Sequence, residues 1–183
     1  MKIRSFLAIE IPNKIYDSIV ECRNNILFDE KLRWEKKNNS HITLKFFGEI
    51  EESQIVKISE ILDEVAKNTK AFAISFSDFG FFRKDEKPKI LFLGLNRNDD
   101  LKKLFNILEM KFDKIGIQKE QRNFNPHLTL LRVRTQNNSL KIFENKSIGN
   151  LSFICKSFSL MKSELKKSGS IYTRISKYYF KEA

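Results

Sequence analysis

The stretch His41-Ile42-Thr43-Leu44 returns 86 residues later as His127-Leu128-Thr129-Leu130, and the two copies contain both histidines of the chain. With 5 Thr and 18 Leu in 183 residues, the odds that chance would follow both histidines with x-Thr-Leu are on the order of one in a hundred thousand, which marks a repeat with a purpose. Each copy sits in an apolar, β-branched context that predicts a strand: His41 to Phe47, ended by Gly48, and His127 to Val133, preceded by Pro126. On a strand, residues i and i+2 share a face. His41 and Thr43 therefore point one way and Leu44 the other, and the second copy does the same. Two such strands, side by side or across a groove, would bring two imidazoles and two hydroxyls into one polar pocket.

Outward from these strands, periodicity predicts a strand at Ile3–Ile9, a helix after Pro12 through about Phe28, a short strand at Leu32–Glu35 and a loop at Lys36–Ser40. A helix from Ser53 with Val56, Ile61, Leu62 and Val65 inward comes next. Further strands are expected at Phe72–Ser77, continued or bent through Phe82, and at Ile90–Leu95, with a charged turn at 83–88 between them. The pattern Leu101, Leu104, Phe105, Leu108, Phe112 gives a helix over Asp99–Ile115. A short helix near Leu140–Phe143 and two closing strands, Phe153–Ser163 and Ile171–Phe180, turning at Ser168-Gly169, complete the chain. No regular alternation of parallel strands and helices is present. The expected class is α+β: two pseudo-symmetric lobes of antiparallel-rich sheet flanking a central groove, with helices packed on the outside. Because the last strands follow the second His-x-Thr copy, the halves interdigitate, and residues 1–183 are expected to form a single bilobal domain.

Composition narrows the function. The net charge of +11 favours a polyanionic partner such as nucleic acid or nucleotide, although an excess of Lys in an Ile-, Asn- and Phe-rich chain is also what a compositional bias would produce. No apolar run is long enough for a membrane span, and the N-terminus lacks a signal-peptide pattern. Cys22 and Cys155 stand apart without metal or redox spacing, so a reducing cytoplasm is the expected compartment.

Two imidazoles suit one general base and one general acid, one neutral while the other is charged. Two Thr hydroxyls suit the non-bridging oxygens of a phosphate. Arg132, five residues past His127, would add a planar fork for the same group. A third His or a Cys at zinc-ligand spacing is absent, and no Ser or Cys lies in an elbow-like turn. Metal-free acid–base chemistry on a phosphodiester, with no cofactor, is the expectation. Trp34, Phe47 and Phe124 are candidates to stack a base, and Lys45, Arg122 and Arg134 to guide a nucleic-acid backbone.

These residues in this order resemble the two-histidine (2H) phosphoesterases, specifically the RNA 2′,3′-cyclic phosphodiesterase branch, called LigT-like or 2′-5′ RNA ligase-like. The likeness includes Arg4-Ser5-Phe6-Leu7-Ala8-Ile9, Arg33-Trp34, the segment from His41 to Gly48, Phe79-Gly80-Phe81-Phe82, Phe124 to Arg132, Ser163-Glu164-Leu165 and Gly169-Ser170-Ile171-Tyr172. It implies opening of a terminal 2′,3′-cyclic phosphate to a 2′-phosphate, with His127 as proton acceptor and His41 as proton donor, and with Thr43, Thr129 and Arg132 binding substrate. The implied partner is an RNA ending in a cyclic phosphate, or a cyclic nucleotide, and the default oligomeric state is a monomer. The same site run in reverse would be a 2′-5′ RNA ligase, and a non-catalytic binder of nucleotides or RNA ends is a third possibility.

Overall fold

The computed structural model describes residues 2–135, 137–166 and 169–181. Its eight strands form one antiparallel sheet in the order β6-β3-β4-β5-β2-β1-β7-β8. They are β1 (Lys2–Glu10), β2 (His41–Glu51), β3 (Phe72–Lys84), β4 (Lys87–Leu95), β5 (His127–Arg132), β6 (Ser152–Cys155), β7 (Ser157–Lys166) and β8 (Gly169–Tyr179). Among the described residues three α-helices accompany them: α1 (Asn13–Ile26), α2 (Glu52–Lys67) and α3 (Asp99–Asp113).

The sheet divides into two four-stranded lobes at its centre. There β2 and β5, the two His-x-Thr strands, are joined by one pair only, Ile42↔Leu128. The expected two-lobed α+β class is therefore present, with the lobes meeting edge to edge. The expected interdigitation is present too. β6 belongs to the lobe of β3, β4 and β5, while β7 and β8 extend the lobe of β1 and β2.

The continuous closing strand read at Phe153–Ser163 is broken at Lys156. Its first part pairs with β3 and its second with β1. A single residue thus links strands in different lobes, which requires the sheet to curl. Hydrogen bonding confirms the closure: Lys181, just past β8, donates its N–H to Thr69 O at the entrance of β3. The turn expected at Ser168-Gly169 includes Ser168, which lies outside the described residues; β7 and β8 pair up to Lys166↔Gly169 on either side of it.

β1 is buried from Ser5 to Ile9 because both of its faces are covered. Leu7 and Ile9 join the main core with Ile42, Leu44, Leu128 and Leu130, whereas Phe6 and Ala8 pack with Met161 and Tyr172 on the other face. Helices α2 and α3 lie against the main core through Ile58, Leu62 and Val65 and through Leu101, Leu104, Leu108 and Phe112. They cover the side of the sheet opposite the histidines. Val56, expected inward, is exposed, since the buried stripe of α2 follows 58, 62 and 65. The α2 start lies one residue earlier than Ser53, where Gln54 accepts from the Glu51 N–H in a capping box. Asn98 caps α3 through the Leu101 N–H.

The short strand expected at Leu32–Glu35 reduces to one bridge, Trp34↔Leu131, with the Glu35 N–H donating to Leu130 O. The charged turn between β3 and β4 shrinks to Asp85 and Glu86, both with positive φ, as a tight hairpin of right-twisted strands demands. No helix among the described residues is long and apolar enough to cross a membrane.

Candidate active site

Each His-x-Thr strand carries a bulge at the residue after its Thr. In β2, Thr43 pairs with Ala8 and Lys45 with Leu7, so Leu44 is the extra residue. In β5, Thr129 pairs with Phe92 and Leu131 with Leu91, so Leu130 is extra. A bulge inverts alternation beyond it. Lys45 and Leu131 therefore turn into the protein, while Phe46 and Arg132 emerge on the face of the histidines. Simple alternation would have put Lys45 beside His41 and Thr43.

The single central pair sets the register of the site. With Ile42 opposite Leu128 in an antiparallel ladder, His41 lies toward Thr129 and His127 toward Thr43. All four side chains and Arg132 line one cavity of about 670 Å³. The two histidines, the two threonines and Arg132 are thus brought together, with the two His-x-Thr pairs related by an approximate two-fold axis through the central pair.

Both imidazoles are oriented alike. Nδ1 of His41 lies 2.7 Å from Asn39 O, and Nδ1 of His127 lies 2.9 Å from Asn125 O. A carbonyl only accepts, so each Nδ1 carries the proton and Nε2 is left as the reactive atom. Aromatic rings pack against each imidazole. Phe6 and Tyr172 flank His41 at centroid distances of 4.9 and 5.2 Å. Phe82 and Phe92 flank His127 at 4.8 and 5.4 Å.

Burial dominates the protonation of both groups. It pushes His41 down to about 4 against the opposing pull of the Asn39 carbonyl, with the Arg132 and His127 charges adding to the depression and Glu10 resisting it. His127 is also lowered, first by burial and then by Arg132. Burial thus favours the neutral form of both rings. A bound phosphate anion would pull both values back up.

Arg132 is half exposed and donates from Nε to Glu35 Oε1 at 3.2 Å. Glu35 also meets the side-chain amide of Asn39 at 3.5 Å, and that amide donates to Ser170 O at 3.2 Å. Glu35 thus ties the arginine to the residue whose carbonyl orients His41. Sequence reasoning missed Glu35, because a charged residue beside a polar loop reads as solvated.

The other candidates separate. Phe124 lines the cavity and stacks on Phe105 at 4.0 Å. Trp34 does not line it; Arg23 covers its ring and Phe143 packs at its edge. Phe47 packs against Phe112 in the core. Phe46, not singled out from sequence, lines the cavity with 62% of its surface exposed. Lys45 cannot guide a backbone: it is buried, with Nζ 2.8 and 2.9 Å from the two Glu109 carboxylate oxygens, and it donates to Gln118 O. Arg122 is at the rim with its guanidinium on Glu120. Arg134 lies beyond the cavity. Among the described residues, no group of three or more His, Cys, Asp or Glu is placed to hold a metal ion.

Comparison with known proteins agrees with this architecture. The family model described as LigT like Phosphoesterase matches residues 9–92 and 93–172, one match for each His-x-Thr half. A Methanothermobacter thermautotrophicus protein named RNA 2′,3′-cyclic phosphodiesterase is 29% identical over 94% of this chain and 96% of its own length. A Bacillus subtilis protein of the same name is 30% identical over 89% of each chain. The crystal structure of Escherichia coli LigT in apo form superposes with a TM-score of 0.81 at 24% identity, covering 98% of both chains.

Proposed function

This chain belongs to the LigT-like phosphoesterase family, and on that premise we propose that it is an RNA 2′,3′-cyclic phosphodiesterase that releases a 2′-phosphate by two-histidine acid–base catalysis. The observation that carries the proposal is the pair of matched imidazoles, each with Nδ1 anchored on a carbonyl and Nε2 left for chemistry, in one cavity with two threonines and an arginine.

In this mechanism His127 Nε2 removes a proton from water as the water oxygen attacks phosphorus. The bond from phosphorus to the ribose 3′ oxygen breaks, and His41, protonated at Nε2 once the phosphate anion is bound, delivers that proton to the oxygen. The more open position of His127 suits contact with water, and the deeper His41, which binds its proton weakly, suits proton donation. Thr43, Thr129 and Arg132 donate to the non-bridging oxygens as charge builds there. An in-line displacement calls for one His on each side of the phosphorus, and the approximate two-fold relation of the two strands supports that reading. The enzyme is read as one bilobal unit of residues 1–183, acting as a monomer in the cytoplasm on RNA ends. Unpaired Cys22 and Cys155 suit such a reducing compartment.

The test is a chelator-treated incubation with 2′,3′-cyclic AMP and with an RNA ending in a 2′,3′-cyclic phosphate, resolving 2′- from 3′-phosphate. Release of the 2′-phosphate is expected, unaffected by EDTA. His41→Ala and His127→Ala should each lower the rate by at least about 10³-fold, beyond the effect of a single lost hydrogen-bond donor. A 3′-phosphate product would exchange the roles of the histidines, and metal-dependent turnover would refute the metal-free mechanism.

A further inference from the structure

We propose that Glu10 is a positioning residue for the catalytic proton: its fixed negative charge makes His41, and not His127, the ring that holds the proton given to the leaving oxygen. The inference rests on the reading of the catalytic site given above. The two His-x-Thr strands are matched, but the strands beside them are not. Glu10 of β1 pairs with His41, whereas the residue of β4 that pairs with His127 is Gly94. Directly opposed residues of antiparallel strands share a face. The carboxylate of Glu10 is therefore on the face of His41, and the matching place beside His127 is bare. An added Cβ at Gly94 would stand 2.7 Å from Oγ of Ser77, which already fills that space.

Glu10 is anchored from two further strands. Ser159 Oγ of β7 donates to its Oε1, and Arg174 of β8 donates to the same oxygen from Nε at 3.0 Å and to Oε2 from Nη2. Burial resists its charge, but the hydrogen bonds from Arg174 and Ser159 and the charges of Arg174 and Lys177 hold its carboxyl below the usual carboxylate range. It is thus ionised wherever a histidine titrates. Around His41, Arg132 and His127 of β5 oppose a positive charge and Glu10 favours it. Tyr172 of β8 packs at right angles to the ring, and Glu35, which lines the same cavity, is paired with Arg132. At His127 the acting charge is Arg132, which opposes protonation. Burial runs against the assigned roles, because His41 is the deeper ring and is pushed down to about 4. A proton donor placed there needs a nearby anion to regain its proton. Bound phosphate serves both rings, so Glu10 is what tells them apart. Glu10 touches no reacting atom and acts through His41.

The chain has two histidines, so NMR can follow each imidazole Cε1–H signal separately, with His127→Asn giving the assignment. The protein is titrated with inorganic sulfate present, a phosphate stand-in whose charge stays constant over the range. Glu10→Gln, which keeps the shape of the side chain, should move the midpoint of His41 to lower pH and leave that of His127 in place. Arg174→Gln, which removes the cation that partly neutralises the carboxylate, should move His41 the opposite way. With 2′,3′-cyclic AMP at neutral pH, Glu10→Gln should lower kcat about three- to tenfold with KM little changed, since a midpoint lower by about one pH unit means a roughly tenfold smaller protonated fraction. A purely structural tie between β1 and β8 would shift His41 in the same direction in both variants, and that result would overturn the proposal. Unchanged midpoints in Glu10→Gln, or equal shifts at both histidines, would overturn it too. If the wild-type protein turned over neither 2′,3′-cyclic AMP nor an RNA with a cyclic end, the catalytic reading would fail, while the titrations would still decide which ring Glu10 favours.

Discussion

Burial sets the resting state of both imidazoles, and that has a consequence for pH. His41 is held down to about 4 and His127 is also lowered, chiefly because the charged ring is poorly solvated. The profile of kcat/KM reports the free enzyme. If His127 must be neutral and His41 protonated, both limbs of that profile fall below the ordinary histidine value of about 6.5. The profile of kcat reports the complex, where the phosphate anion raises both values, so its optimum should lie at higher pH. Coincident optima near pH 8 would contradict this assignment. The same depression links to folding. A group whose folded value is lowered contributes stability above its unfolded value, and that contribution is lost as pH falls toward the folded one. Between about pH 6.5 and 4 the neutral His41 must take up a proton on unfolding, so His41→Asn should flatten the fall in Tm across that window. Thr43→Ala and Thr129→Ala should each cost about 10²-fold in kcat as single oxyanion donors. These residues were legible in the sequence because histidine is scarce and the repeat uses both copies. A further signal was present: Asn stands two residues before each histidine, at Asn39 and Asn125, where the orienting carbonyl belongs. Glu35 gave no such signal, since its partner Arg132 is 97 residues away in sequence.

The bulges at Leu44 and Leu130 decide which side chains reach the cavity, and they also create the internal ion pair of Lys45 and Glu109. Glu109 accepts from the Glu120 N–H at 2.7 Å, and Lys45 donates to Gln118 O, so the pair ties β2 and α3 to the segment that walls the site. Lys45→Met should destabilise the protein by about 3–5 kcal/mol, because it leaves a buried carboxylate without its counter-charge. Adding Glu109→Leu should restore much of that loss in a urea titration while leaving kcat/KM low, since the wall segment stays untied. Full recovery of activity in the double variant would show that the pair serves stability only. On β3, a Cβ at Gly80 would stand 2.6 Å from Cζ of Phe92, the ring packed against His127. Gly80→Ala should therefore displace that ring, costing about 1–3 kcal/mol and lowering kcat more than KM. The strands were legible as alternating runs, but their bulges were not, because an extra residue leaves no mark on a stretch where both Leu44 and Lys45 can be buried. The break at Lys156 was hidden for a related reason. The run from Phe153 to Ser163 reads as one strand, with no Gly or Pro between β6 and β7 to punctuate it.

At the scale of the whole molecule, the site lies on the seam between two lobes whose sheets share one residue pair. Sheet hydrogen bonding alone would allow the lobes to behave separately. The packing argues otherwise. One buried cluster includes residues of β1, β2, β4, β5, α2 and α3, and the chain crosses between lobes again at Lys156. Ile42 and Leu128, the pair on the seam, are both almost wholly buried beneath the histidines. Thermal unfolding should therefore be a single cooperative event, with calorimetric and van't Hoff enthalpies equal. Ile42→Ala should lower stability by about 2–5 kcal/mol as a large-to-small change in a packed core. Its signature would be a single transition at lower temperature, not the early melting of one lobe. Two resolved transitions, or a calorimetric enthalpy well above the van't Hoff value, would mean that the lobes fold as separate units. The activity of that variant discriminates further. The seam sets the spacing of the two imidazoles, so a cavity under it should reduce kcat through misalignment of His41 and His127 even at temperatures where the protein is fully folded.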